Sequence, residues 1–365
     1  MESVIKLFTE QQANGSFPGG QLVLRRKGKV VINEAIGVCR GFMSSESIPA
    51  VETSIETLFP FYFCGKPLAA IAIAMLEDKG LLDINAPIAE VFPEFAKNGK
   101  GEIITYDVLT HRSGVLLPHL HIKYEVWSDK KEMCRQLVEA KPKYKRGTLA
   151  YQPNEFAWIL SELVTRIDGR EIADYIEQEI STPLKLHNLK FGLPDNTLIA
   201  RSYWLGKDKY MIGGNNVAKD FENFANNPEY FNSRTPSFTL VTNAASLAAF
   251  YECLVNGGMT PSGTSLLSEK TLKKYTSRQV FGWDRTIQSF NSYGKGFMVG
   301  LMTPTSYGWW NTGRCFGHGG MFSCLAFGDY DTGISVAIAM NGNRSIVDFI
   351  KRFISLSHAC RRACL

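Results

Sequence analysis

The longest apolar run in the chain, Pro67 to Leu76, is the feature that most limits what it can fold into. A helix crossing a bilayer needs about 20 apolar residues, and this run is far shorter. Within it Leu68, Ile71, Ala72, Met75 and Leu76 recur at helical spacing and Gly80 stops the pattern, which predicts a helix over residues 65–79. Ala69, Ala70, Ala72 and Ala74 keep its surface small, so neighbouring elements can pack closely on it. A helix apolar on most sides is buried, and a large core must surround it. The chain can supply one: 365 residues at 45% hydrophobic and 21% charged exclude a disordered polymer, a collagen-like repeat and a small disulfide scaffold. A single core stops growing at roughly 250 to 300 residues, so a second subdomain is expected.

Forty basic against 35 acidic residues give a net charge of +5, which favours approach of an anionic ligand but is far below a nucleic-acid-binding footprint. Residues 1–12 read as a short amphipathic helix with Val4, Ile5 and Phe8 on one side, without the plan of a secretory signal. A soluble, cytoplasmic protein is expected, with neither a nucleic acid nor a membrane as partner. The eight cysteines, Cys39, Cys64, Cys134, Cys253, Cys315, Cys324, Cys360 and Cys364, lack metal spacing and read as free thiols. Cys360 and Cys364 lie one helical turn apart, a spacing that suits thiols side by side better than a disulfide. His119 and His121 would share a strand face, but no third ligand adjoins them, so no metal is expected, and no cofactor.

Along the chain, residues 18–40 read as a β-hairpin turning at Lys27-Gly28-Lys29. From 83 to about 228 the signals are helical, at 132–138, 154–166 and 171–179. A further helix covers 244–255, short strands follow at 295–301, 324–328 and 333–340, and a final helix spans 346–356. That last helix has Ile346, Phe349, Ile350 and Phe353 on one stripe and Lys351 and Arg352 toward its C-terminal half. The order implies an α/β (α+β) fold: an antiparallel sheet flanked by helices, built from 1–84 and 236–365, with a mainly helical domain, 85–235, inserted between them and the site in the cleft.

The strings Phe59-Pro60-Phe61-Tyr62-Phe63-Cys64-Gly65-Lys66-Pro67, Leu76 to Asp83, Leu109-Thr110-His111-Arg112-Ser113-Gly114, Tyr151-Gln152-Pro153, Pro183-Leu184-Lys185-Leu186 and Gly317-His318-Gly319-Gly320 occur in an order that resembles the serine β-lactamase and penicillin-binding superfamily, nearest its class C-like esterase and transacylase branch. The resemblance implies a Ser-x-x-Lys element at the start of the buried helix. Residues three apart on a helix are neighbours, so the amine can take the serine proton. Lys66 matches the lysine, and Phe63 stands where the resemblance places the serine. Tyr151 matches the second proton-transfer residue, with Pro153 in place of the usual asparagine and Asn154 one further on. His318 with Gly319 and Gly320 resembles the Lys-Thr-Gly element in its His-x-Gly form, where glycines open a strand edge and the histidine stands near developing charge.

Each residue also has a plainer reading. Cys64 can replace the serine, since a thiolate is favoured at a helix N-terminus beside an ammonium. At about 100° per residue, however, it points away from Lys66, and a small buried packing residue is the simpler reading. Lys66 is a tuned base or half of a buried ion pair, Tyr151 a proton donor or a packing ring, and His318 a site residue or a turn cap. His111 reads as structural. Trp309-Trp310 and Phe61-Tyr62-Phe63 read as core first and apolar pocket wall second. The basic run Lys141, Lys143, Lys145 and Arg146 could attract an anionic substrate or be a solvated turn.

Three functions follow. The first is an enzyme acting on a small apolar or anionic metabolite by Lys66, Tyr151 and His318 acid–base chemistry, with Phe63, Tyr62, Gln152, Asn154, Gly319 and Gly320 around the pocket. The second is an acyl hydrolase or acyltransferase using Cys64. The third is a non-catalytic binding protein. The first is preferred, because a costly buried lysine has no reason to persist in an idle cleft.

Overall fold

The computed structural model describes residues 1–120, 123–193, 198–206, 211–212, 215–216, 221–321 and 323–365. Its frame is a nine-stranded antiparallel sheet made from both ends of the chain: β1 (Gly19–Arg26), β2 (Lys29–Arg40), β3 (Val51–Glu52), β4 (Val280–Asp284), β5 (Ser289–Tyr293), β6 (Met298–Val299), β7 (Cys315–Gly320), β8 (Cys324–Asp329) and β9 (Ile334–Met340). The spatial order is β4-β5-β6-β7-β8-β9-β1-β2-β3. The termini meet where β1 pairs with β9, Val23 lying opposite Ala337. Lys27 and Gly28 both have positive φ, 51° and 77°, the turn that matches the twist of a tight hairpin.

Strands β8 and β9 are buried along their whole length, because helices cover both faces of the sheet. The period of two sorts the side chains. Leu22, Leu24, Val336 and Ile338 join Val4, Phe8, Phe353 and Leu356 of the terminal helices in one core cluster. Val23, Ala337 and Ala339 join the helices Lys66–Asp78 and Ala244–Val255 in the other. Burial on two faces is why these strands read as apolar runs rather than alternations.

The helix Lys66–Asp78 is the hub, with every residue from Lys66 to Leu76 buried. Its alanines have the expected use. Gly296, at φ +81°, passes so near that a Cβ there would lie 2.3 Å from the Ala70 Cβ. Helices Lys130–Glu139, Glu155–Asp168 and Ile172–Ile176 fill much of the middle segment. A small sheet ties that segment to the helix entrance, Phe59 pairing with Thr242 and Lys190 with Val241.

Several local expectations change. The last helix runs Ile346–Arg362, so its terminal cations are Arg361 and Arg362, and Arg352 lies mid-helix, buried against Asp348 at 2.8 Å. Phe349 and Phe353 face the core, but Ile350 is turned off that stripe and exposed. The strand expected at 295–301 is only Met298–Val299. Gly300 sits against the Thr312 carbonyl, where a Cβ would come within 2.2 Å. Trp309 and Trp310 are exposed rather than core. All eight cysteines are free thiols. Among the described residues no helix is long and apolar enough to cross a membrane.

Candidate active site

The chain enters the buried helix through a strained corner. Tyr62 is held at φ +46°, the left-handed region that non-glycine residues avoid. A single turn, Tyr62–Gly65, then leads into Lys66, with Pro67 in the helix's first turn. The corner turns Tyr62 inward, its hydroxyl 2.5 Å from Ser202 Oγ. It leaves Phe63, half-buried, edge-on to Phe238 at 4.2 Å between centroids and to Tyr151 at 6.1 Å.

Lys66 is fully buried and donates from Nζ to the Gln152 carbonyl. The amine lies 4.5 Å from the ring centroids of Tyr151 and Phe156 and 5.8 Å from that of Phe63. Burial pushes its pKa well below the ordinary lysine value, and the Glu155 carboxylate only partly opposes this. The same burial favours the uncharged form of the amine, the form that can accept a proton. Glu155 is itself engaged, accepting from the Leu117 N–H at 2.5 Å and the Asn154 N–H at 3.3 Å.

Tyr151 is placed by the hairpin β4–β5. Its backbone N–H donates to Asp284 Oδ1 at 3.0 Å. Asp284 also accepts from the Thr286 and Ile287 N–H groups, at 2.8 and 3.1 Å, and from the Tyr293 hydroxyl at 2.8 Å. Burial, with Asp284 adding, holds the Tyr151 phenol well above its ordinary pKa and thus protonated.

His318 stands where β7 loses a neighbour. Strand β6 pairs only with Phe316 and Gly317, which leaves residues 318–320 open on that side. His318 Nδ1 lies 2.6 Å from the Gly319 carbonyl, which can only accept, so the proton is on Nδ1 and the buried Nε2 is an acceptor without a partner among the described residues. Gly320 is required for close approach, since a Cβ there would lie 2.4 Å from the Phe61 carbonyl and 3.2 Å from the Phe63 nitrogen. His111, at φ +57°, accepts the Gln152 N–H on Nδ1 at 3.2 Å and packs on the Tyr151 ring at 4.7 Å. Burial, with Lys66 adding, lowers both histidines, His318 to about 3 and His111 well below its usual value.

These two histidines carry a pH prediction. An unfolded histidine takes a proton near pH 6.5, while the folded sites refuse it. The unfolded state then binds more protons, so stability is full above about pH 6.5 and is lost as pH falls toward the folded values. Thermal melts should therefore drop more steeply on acidification for wild type than for His318→Asn. Equal slopes would contradict the burial argument.

The structure thus brings Lys66, Phe63, Tyr151 and His318 together, with the Gln152 carbonyl on the amine. Among the described residues, Gln152 Oε1 and both side-chain amide atoms of Asn154 are buried without hydrogen-bond partners. Cys64 is not part of this group. Its thiol donates to the His318 carbonyl at 3.0 Å and lies 3.8 Å from Cys324 Sγ, packed toward β7 and β8. Tyr62 faces Ser202 instead. His119 is exposed, 3.4 Å from Gln136 Oε1, and His121 lies outside the described residues. Reading the sequence missed Asp284, Tyr293, Phe238 and Glu155. No local signal marks the first two, because Val280 and Phe281 are consecutive and the inner positions of the hairpin hold Gly282 and Asp284.

A buried lysine at a helix start, a tyrosine before a second helix and a histidine on an open strand edge, gathered beside an antiparallel sheet, define a β-lactamase-like scaffold. The sequence profile of the Beta-lactamase family matches residues 4–360, and the chain belongs to that family. It is 24% identical over 387 residues to the esterase/beta-lactamase LipL of Mycobacterium tuberculosis (strain ATCC 25618 / H37Rv), covering 99% of this chain and 86% of that protein. A penicillin-binding protein homologue from Caulobacter crescentus superposes with a TM-score of 0.83 at 26% identity, covering 100% of this chain and 97% of the other. A family VIII carboxylesterase also gives 0.83, at 22% identity over 98% and 96% of the two chains.

Proposed function

We propose that this chain is a β-lactamase-fold enzyme that acts on a small metabolite by acid–base chemistry, without a serine acyl-enzyme. The observation that carries the reading is the Lys66 amine, fully buried, hydrogen-bonded among the described residues only to a carbonyl, and walled by Tyr151, Phe156 and Phe63. Phe63, three residues before Lys66, supplies an apolar wall where the resemblance calls for a nucleophile. Lys66 takes a proton from the substrate and Tyr151 donates one to the developing anion. His318 Nε2 accepts a hydrogen bond that orients a substrate hydroxyl or N–H. Such a set serves cyclisation, isomerisation or elimination, and free thiols throughout the chain support a reducing compartment such as the cytosol.

A second reading, an acyl hydrolase or acyltransferase with Cys64 as nucleophile, draws on the esterases among the relatives. Against it, the Cys64 thiol is tied to the His318 carbonyl on the sheet side of the helix.

The test is incubation with a cellular metabolite extract in deuterated water, read by mass spectrometry. Wild type and Cys64→Ala should consume or deuterate the same compound, and Lys66→Met and Tyr151→Phe should leave it untouched. Turnover that vanishes with Cys64→Ala and only slows with Lys66→Met would make the second reading correct.

A further inference from the structure

The hairpin that holds Tyr151 from its inner face carries an aromatic cluster on its outer face. Phe281 and Trp283 of β4 point outward, with Phe290 of β5 directly opposite Trp283. They are 55%, 48% and 61% exposed. Phe290 stacks on Phe281 at 5.8 Å and meets Trp283 edge-on at 5.5 Å. Ile287, in the connecting turn, is also exposed. Strand β4 is the last of the sheet, so the cluster sits at the rim of the molecule. Its residues are not needed to hold Tyr151, because Asp284 and Tyr293 do that from the other face.

The chain segment bonded to this hairpin is basic. The Arg285 N–H donates to the Leu149 carbonyl at 3.0 Å, which joins the hairpin turn to the loop carrying Lys141, Lys143 and Lys145. Those three lysines and Arg285 are exposed. Among the described residues none of the four has an ion pair, whereas Arg146 is taken up by Asp107. Exposed aromatic rings with unpaired cations on the segment bonded to their hairpin match the boundary of an anionic bilayer, where rings settle at headgroup level and lysines meet phosphates.

We propose that this face docks on an anionic lipid surface. A second copy of the chain fits worse, because a two-fold pairing through the hairpin would bring like charges together. The shortness of the apolar run at 67–76 speaks to crossing a bilayer and leaves lying against one open.

Vesicle co-sedimentation of the full chain tests this. Wild type should pellet with vesicles of phosphatidylcholine and phosphatidylglycerol, release with added salt, and stay in solution with phosphatidylcholine alone. The double variant Trp283→Ser/Phe290→Ser and the triple variant Lys141→Glu/Lys143→Glu/Lys145→Glu should each lower partitioning at least about tenfold. Circular dichroism checks that both remain folded, and the triple variant alters only a solvated loop. Failure of wild type to bind the anionic vesicles, or unchanged binding by either folded variant, would overturn the proposal. A wild-type dimer in light scattering that the double variant dissolves, without vesicle binding, would assign the face to a second copy instead.

Discussion

A Phe63→Ser variant is expected to hydrolyse p-nitrophenyl acetate, and adding Lys66→Met or Tyr151→Phe to it should remove about 10²–10⁴ of that rate. Position 63 and Lys66 share one side of the helix entrance, the Phe63 ring lying 5.8 Å from Nζ, so a hydroxyl there would face an amine whose pKa burial lowers. The serine proton goes to Lys66 as its oxygen bonds to the acyl carbon, and p-nitrophenolate leaves. Removing a half-buried ring also opens room for the ester. A variant with no activity, or with activity indifferent to Lys66→Met, would show that the amine is not poised as a base toward position 63.

Asp284→Ala is expected to be the most damaging single change in the chain outside the helix hub, costing about 3–5 kcal/mol. Its carboxylate is fully buried and accepts four hydrogen bonds, three from backbone N–H groups and one from Tyr293. Truncation leaves those donors unpaired and frees the backbone at Tyr151. The urea midpoint should fall with little change in slope. A loss below about 1 kcal/mol would mean that water replaces the carboxylate, against its burial.

Much of this was legible in the sequence wherever one period governed one environment. The helix Lys66–Asp78 was readable because its apolar positions fit a single helical pattern, and β9 because both of its faces are buried. The turned-away position of Cys64 follows from helical geometry, which places it and Lys66 on opposite sides. The hairpin β4–β5 was not legible. Its outer positions hold exposed aromatics and its inner ones Gly282 and Asp284, so neither face looks like core. For the same reason Asp284, which fixes Tyr151 from well over a hundred positions away, left no local signal. Tyr62 was placed beside the pocket by adjacency alone, and its positive φ, invisible in sequence, turns it to Ser202.

The central claim is that the site keeps its acid–base pair and has no acyl-accepting nucleophile. Intact mass spectrometry of the wild-type protein after exposure to an activated ester and to a β-lactam tests it most directly. The unmodified mass is expected for wild type with both reagents, with an acyl adduct from the β-lactam only in Phe63→Ser, at position 63. A wild-type adduct mapping to Cys64 would contradict the account and make the thiol the nucleophile.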